Sequence, residues 1–217
     1  MTRRTLLAAL LTTATLACGE ATAPSRNDLY EWRLVVGTDT LSFHWPKSAL
    51  PVKVWVQDTL DMPDRVQEGI AAWRGAFLYG EYDAILVADS AAADVVVRVV
   101  SALPGSPAPV LRFHAAFPGC EGETVLDADT ATTPATLRLP IRMRITPRFN
   151  PATNDLTDYF RATATHELGH SLGIFTHSPD ADDLMFGGAS AVLGPSPRDV
   201  NTAQALAHYP SNMTLTR

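Results

Sequence analysis

Three histidines and one glutamate near the end of the chain have the residue types and the spacing of a metal site. His166 and His170 are four residues apart, which places them on one face of a helix, where both imidazoles can reach one metal ion. Glu167 lies beside them, placed to take a proton from an attacking water. Gly173 can end the helix by adopting a positive φ, so the chain can turn back and bring His177 to the same ion. Three neutral nitrogens on Zn²⁺ leave one coordination position open, as in catalytic rather than structural zinc sites.

The third ligand has alternatives in this sequence. Zinc peptidases with a glutamate as third ligand need a downstream glutamate, and none follows Glu167. Aspartates remain as substitutes, although none has the position of His177 just after the glycine that ends the helix. They are Asp180, Asp182, Asp183 and Asp199. A further interpretation is a surface or core helix whose histidines bind no metal.

The residues that follow extend the motif. The segment His177–Asp180 reads His-Ser-Pro-Asp, and Leu184–Phe186 reads Leu-Met-Phe. Together they resemble the third zinc ligand and the Met-turn of matrixins, a family of metzincin metallopeptidases. The resemblance implies that Met185 lies in a tight turn beneath the zinc histidines, whereas the other interpretation is an ordinary core methionine. The usual matrixin spacing would place the ligand at Thr176. This chain has one extra residue, so His177 is the ligand only if the turn after the glycine bulges.

The resemblance implies a secreted or surface-anchored zinc endopeptidase. The histidines would hold one catalytic Zn²⁺, Glu167 would act as general base, and an extended peptide would pair with an edge strand at Leu111–Phe117. Two other classes of function stay open. One is a catalytically inactive zinc-containing surface lipoprotein that binds a peptide or protein partner through the same cleft. The other is a structural zinc domain, which would need a fourth protein ligand. The intact Glu167 favours the enzyme.

A second resemblance concerns other metals. Leu111–Gly119 and Glu123–Thr130 resemble the edge strand of matrixins and the calcium- and zinc-binding segment that follows it. His114 has a counterpart there, but Val125 stands where a histidine would be and Thr130 where an acid would be. The resemblance therefore implies that a second, structural zinc is lost.

Asp127 and Asp129 lie in the same segment and have oxygen ligands that suit Ca²⁺. A calcium ion near these two aspartates is one interpretation. The other is a pair of solvated loop acids that bind no metal.

Hydrophobic periodicity predicts an α+β fold. The order of the predicted elements resembles that of a metzincin catalytic domain. The resemblance implies a metzincin-like zincin domain with a twisted, mostly parallel sheet of about five strands and an antiparallel edge strand, packed on two long helices, with a C-terminal helix after the Met-turn. The predicted strands are Leu50–Val56, Ala84–Ala88, Asp94–Val100 and Leu111–Phe117, with Thr124–Asp129 and Leu137–Ile145 competing for the fifth. The predicted helices start at Asp61 with Pro63, near Asn154 or Asp155, and at Ser196 with Pro197. The last start has a capping-box pattern, with Ser196 as the cap and Asp199 as the acid three residues on.

Composition bounds the class of protein. The chain has 217 residues, of which 46% are hydrophobic and 18% charged, which indicates one globular domain. The net charge of −6 and the lack of a basic stripe argue against nucleic-acid binding, and we expect a monomer. We predict a signal peptide at 1–17, a lipidated or linker segment with a short strand at 18–42, and a matrixin-like catalytic domain at 43–217.

The N-terminus resembles an export signal. Two arginines precede the apolar run Thr5–Ala17, which is too short to span a bilayer. The run ends at Leu16–Gly19, which resembles a bacterial lipoprotein cleavage box and implies lipidation of Cys18. Ordinary cleavage after Ala23 is the rival. We therefore expect an exported protein. It would either be held on the outer membrane or cell surface by a lipid anchor, as its sole membrane contact, or be secreted or periplasmic.

Overall fold

The computed structural model describes residues 28–101, 103, 111–117, 120–147, 158–188 and 192–217. The strands are β1 (Leu34–Val36), β2 (Asp39–Leu41), β3 (Val52–Val56), β4 (Ala84–Leu86), β5 (Val95–Val99), β6 (Leu111–Phe117), β7 (Cys120–Asp129), β8 (Ala135–Thr146) and β9 (Met213–Thr216). The α-helices are α1 (Met62–Gly75), α2 (Asp158–Leu172) and α3 (Pro197–His208). Short 3₁₀ turns lie at Lys47–Ala49 and Ser90–Ala92. The fold is α+β, as predicted. Among the described residues, no helix is both long and apolar enough to cross a membrane.

One mixed sheet of seven strands forms the centre of the molecule. Its order is β4-β3-β5-β8-β7-β6, with β9 also beside β8. The pairs among β4, β3, β5 and β8, and the pair β8–β9, are parallel, whereas β7 is antiparallel to both of its neighbours. The sheet is therefore mostly parallel, and Leu111–Phe117 is its edge strand. The two segments that competed for the fifth strand both belong to the sheet, as β7 and β8, and the unpredicted β9 makes the count seven rather than five.

Helices α1 and α2 pack against each other on one face of this sheet. Trp73 of α1 is fully buried, and its indole N–H donates to the carbonyl of Thr165 in α2 at 2.7 Å. A Cβ at Gly69 would lie 2.9 Å from the Thr165 hydroxyl and 3.0 Å from a Leu168 methyl, so a glycine is required for the helices to approach this closely. The histidine-bearing helix is thus fixed between α1 and the sheet.

Helix α2 is buried on more than its apolar face. Phe160, Ala164 and Leu168 are fully buried, and so are His166 and His170. The predicted start near Asn154 or Asp155 lies outside the described residues. A helix buried on several sides holds its polar side chains in a low dielectric, so each of them needs a specific partner.

The N-terminal segment packs onto the domain. Tyr30 and Trp32 are buried, and β1 pairs with β2 in a hairpin separate from the main sheet. The backbone N–H of Phe175, which follows α2, donates to the carbonyl of Trp32 at 2.7 Å. The predicted short strand is present as Leu34–Val36, and the residues just before it contribute to the core. The predicted signal peptide and Cys18 lie outside the described residues.

Gly173→Ala should destabilise the fold. Gly173 has a φ of 114°, and a Cβ there would contact the carbonyl oxygen of Phe43. We expect a loss of at least about 1–2 kcal/mol in the free energy of unfolding, from backbone strain alone. Gly75→Ala is the matched control, because nothing lies within 4 Å of a Cβ at that helix end. It should be neutral or stabilise by up to about 1 kcal/mol. Chemical denaturation of both variants checks this, and equal stabilities would contradict the account.

Candidate metal centre

Three imidazoles converge at the end of α2. The Nε2 atoms of His166 and His170 are 3.1 Å apart, and those of His170 and His177 are 3.2 Å apart. The first two side chains are fully buried and the third is partly buried. Tetrahedral ligands about 2.0–2.1 Å from one ion would be roughly 3.3 Å apart. The three histidines therefore lie close enough together to bind one metal ion.

Hydrogen bonds to backbone carbonyls fix the tautomers of two of these rings. The Nδ1 of His166 lies 2.7 Å from the Leu184 carbonyl, and the Nδ1 of His170 lies 2.6 Å from the Ile174 carbonyl. A carbonyl oxygen can only accept, so both Nδ1 atoms are the protonated donors. Each neutral ring then directs a lone pair from Nε2 towards the other ring.

The protonation states of His166 and His170 decide what the close approach of their Nε2 atoms means. Burial, helped by His177, lowers the pKa of His166 to about 3. Burial and the two neighbouring imidazoles also hold the pKa of His170 well below its usual range. At neutral pH no second proton is available to join the two Nε2 atoms, so their lone pairs repel at 3.1 Å. A cation between them removes that repulsion, and the donor set fits a metal ion.

The end of α2 determines which residue completes the cluster. The N–H of Gly173 donates to the His170 carbonyl at 3.1 Å, and the N–H of Ile174 to the Gly169 carbonyl at 3.2 Å. These are the two bonds of a Schellman motif, which reverses the chain. Thr176 then donates its hydroxyl to the carbonyl of Glu31. The structure brings His177, one residue later, to the other two histidines.

The aspartates that could have replaced His177 have other contacts. Asp180 pairs with Arg198, and Asp183 lies 2.8 Å from the same guanidinium. Asp182 is exposed, and Asp199 hydrogen-bonds to backbone and to Tyr30, as detailed below. Within the described residues, the sole cluster of three metal-ligating side chains is the one formed by the histidines.

Met185 lies in a tight turn beneath α2. The turn is closed by the N–H of Phe186, which donates to the carbonyl of Asp183 at 3.3 Å. Met185 is fully buried, and a Cβ on Gly169 of α2 would lie 2.5 Å from its sulfur. Leu184, in the same turn, provides the carbonyl that orients His166. The turn therefore supports the histidine cluster from below.

Glu167 is enclosed between α2 and β7. It is fully buried, and its Oε2 accepts a hydrogen bond from the Thr124 hydroxyl at 2.6 Å. Its Oε1 has no hydrogen-bond partner among the described residues. Burial raises the pKa of Glu167 well above its usual range, and the Thr124 hydrogen bond opposes that rise. A buried carboxylate oxygen without a partner costs about 1–3 kcal/mol, so this oxygen is suited to accept from a water or a substrate group.

Asp199 supports the turn in a way that sequence reasoning missed. We expected its carboxylate to cap α3, and it does accept from the N–H of Ser196 at 2.9 Å. The same buried carboxylate also accepts from the N–H of Leu184 and from the Tyr30 hydroxyl, both at 2.8 Å. Because Leu184 orients His166, Asp199 connects the N-terminal segment to the histidine cluster. The capping-box pattern was the available signal, but it does not reveal the long-range contacts.

The other predicted metal residues lie apart from this cluster. Asp127 and Asp129 pair with Arg138 at 3.1 and 3.4 Å, so an arginine partly neutralises both acids. Calcium at these aspartates stays a prediction. His114 belongs to edge strand β6, and its side chain lies outside the described part of the structure.

No family model matches this chain, and no curated protein matches its sequence. What can be said of its function therefore rests on the residues and the geometry described above.

His177→Ala should weaken metal binding strongly, because it removes one of three converging nitrogens. Thr176→Ala is the matched control, since the Thr176 hydroxyl bonds to Glu31 instead. We expect the control to bind metal like the parent. The His177 variant should lose metal affinity by at least about two orders of magnitude, because even residues that only support a ligand contribute 10–100-fold. Competition with a fluorescent zinc chelator measures both. Parental affinity in His177→Ala would show that another residue is the third ligand.

Asp199→Ala should be costly, because it leaves the buried donors of Leu184 and Tyr30 and the partly buried N–H of Ser196 without their acceptor. We expect a loss of about 3 kcal/mol or more in the free energy of unfolding. Tyr30→Phe removes one of these donors and leaves the carboxylate with the others, so its cost should be near 1 kcal/mol. Urea denaturation distinguishes the two. Similar losses would mean that the Leu184 and Ser196 bonds contribute little.

Proposed function

We propose that this chain is a zinc-dependent endopeptidase of the matrixin-like metzincin type. The observation that carries the proposal is the pair of Nε2 lone pairs at 3.1 Å, with a third imidazole 3.2 Å away and a buried glutamate next in sequence to one ligand. The sequence that resembles matrixins also includes the glycine at the end of α2 and the Leu-Met-Phe turn. In a helix that binds no metal, unprotonated nitrogens this close together would repel each other without any compensation.

Three neutral imidazoles suit Zn²⁺ among the common biological cations, because calcium and magnesium prefer oxygen ligands. His166, His170 and His177 would hold the ion. When bound, Zn²⁺ supplies Lewis acidity that polarises a scissile carbonyl and brings the pKa of a water towards neutrality.

Glu167 performs the proton transfers in the proposed reaction. Its carboxylate accepts a proton from the attacking water and then delivers it to the leaving amine, which cannot depart as an anion. Burial raises the pKa of Glu167, which strengthens this carboxylate as a proton acceptor, and the hydrogen bond from Thr124 opposes the rise. The hydrogen bond from Thr124 holds one carboxylate oxygen and leaves Oε1 to meet the water.

The substrate class we propose is an extended peptide. Strand β6 ends the sheet, and among the described residues no strand pairs with its outer edge. Both β6 and β7 lie against α2, which places this edge near the histidine helix. A peptide can add to such an edge as a further strand, with main-chain hydrogen bonds that do not depend on its sequence.

A second function is favoured by one observation. Glu167 is fully buried and already bonded to Thr124, so a zinc-containing surface lipoprotein that binds a peptide without cleaving it would also fit. The two functions differ in turnover. Hydrolysis of casein or gelatin that stops with a chelator and returns with zinc supports the peptidase, and tight peptide binding without cleavage supports the alternative.

Glu167→Gln should keep the metal and lose peptidase activity, because the amide cannot accept the proton. We expect a decrease in kcat of at least the 10²–10⁴-fold typical of general acid–base catalysis. Glu68→Gln is the control, since it removes an equal charge from an exposed residue of α1 and should retain parental kcat. Casein hydrolysis at equal zinc content compares them. Near-parental activity in Glu167→Gln would eliminate this residue as the base.

For location we propose export with a lipid anchor at Cys18. Cleavage before Cys18 exposes its amine and thiol for acylation, and a multiply acylated cysteine anchors stably where a single chain does not. We expect the mature protein to begin at an acylated Cys18 in the membrane fraction. Mass spectrometry of the mature N-terminus measures this. An unmodified N-terminus at Pro24 in the culture medium would indicate the rival cleavage and leave the metal centre unaffected.

A further inference from the structure

Three arginines share the face of the sheet opposite the helices. Arg98 lies on β5, and Arg142 and Arg144 lie on β8. The parallel register pairs Arg98 with Arg144, and Arg142 is two residues away on the same face. Their neighbours Val97, Met143 and Ile145 are fully buried towards α1 and α2. Alternation along the two strands therefore concentrates these arginines, called here the arginine face, on a surface separate from the histidine centre.

The pairing of Arg98 with Arg144 on neighbouring strands is unfavourable by itself. Like charges directly opposite each other destabilise a sheet. One carboxylate compensates: Glu123 of β7 pairs with Arg144 at 2.9 Å. Among the described residues, Arg98 and Arg142 have no carboxylate within ion-pair distance, whereas Arg138, on the same strand, has two. The guanidinium of Arg98 is instead held over the Trp55 ring, 5.1 Å from its centroid.

A cavity of about 280 Å³ is lined by all three arginines. Ser90, Val96 and Pro140 complete most of its wall, so a hydroxyl and apolar surface accompany the charges. Its volume is just below the range of about 300–1,000 Å³ typical of small-molecule sites. The chain as a whole carries a net charge of −6, so general electrostatics would repel an anion. Any attraction of an anion to this cavity therefore has to come from the three arginines.

We propose that the arginine face binds a phosphate group, carried either by a small soluble molecule or by a lipid headgroup. A phosphate monoester can carry two negative charges and has three terminal oxygens, which matches two uncompensated guanidinium forks and a third shared one. A carboxylate has one charge and two oxygens, and would leave part of the repulsion uncompensated. Stacking on Trp55 preorganises Arg98, so little side-chain entropy is lost on binding. The site does not depend on the metal centre or on peptidase activity.

The site can be tested by isothermal titration calorimetry with inorganic phosphate at low ionic strength. The protein is purified after expression from the full 217-residue sequence. We expect saturable binding that acetate at equal ionic strength does not reproduce. Arg142→Gln should weaken it at least tenfold. Arg138→Gln is the matched control, because it removes the same charge from the same strand but from a residue paired with Asp127 and Asp129. It should bind phosphate like the parent.

Stability separates a binding defect from a folding defect. Arg142 is exposed, so Arg142→Gln should have the parental Tm or a higher one without phosphate, and phosphate should raise the Tm of the parent more than that of the variant. Equal responses of parent and variant, or equal binding of acetate, would overturn the proposal.

Vesicles distinguish the two sources of the phosphate. Flotation with phosphatidylcholine vesicles containing phosphatidate, against phosphatidylcholine alone, tests the headgroup after removal of any acyl anchor. Binding to phosphatidate that Arg142→Gln abolishes supports a lipid ligand, and binding to inorganic phosphate without vesicle binding supports a soluble one. Absence of both would overturn the proposal.

Discussion

Two hydrogen bonds from imidazole N–H groups to backbone carbonyls fix the tautomers on which the candidate metal centre depends. His166 donates to Leu184, and His170 donates to Ile174. Each bond fixes the proton on Nδ1 and leaves Nε2 unprotonated. Burial keeps both rings neutral, so the two lone pairs meet at 3.1 Å with no proton between them. A cation between the two Nε2 atoms would relieve this repulsion, and the third imidazole could supply another ligand for it.

The two carbonyls are themselves held in place by the chain on either side. Ile174 follows Gly173, whose positive φ reverses the backbone at the end of α2. Leu184 lies in the turn above Asp199, which accepts its N–H. The carboxylate of Asp199 also bonds to Tyr30, so the N-terminal segment, the turn and α3 meet at one buried acid. The position of the three histidines thus depends on residues that lie outside the cluster.

Sequence predicted the parts of this arrangement that depend on local patterns. The helical spacing of the histidines, the glycine at the helix end and the capping box at Ser196 are all short-range signals, and each is present. The contacts that complete the site join distant residues. Thr124 and Glu167 are 43 residues apart, and Tyr30 and Asp199 are 169 apart. No periodicity encodes such pairs, because they arise only when β7 and the N-terminal segment pack on α2 and α3. The pairing of β9 with β8 is of the same kind.

The central claim is that the three histidines hold one zinc ion with an open position. X-ray absorption spectroscopy at the zinc edge, on purified chain of known metal content, tests it most directly. We expect one zinc per chain with three nitrogen ligands at about 2.0–2.1 Å and one further oxygen that is not from a carboxylate of the protein. A chain that takes up no zinc, or a zinc with four protein ligands or with sulfur in its first shell, would contradict it.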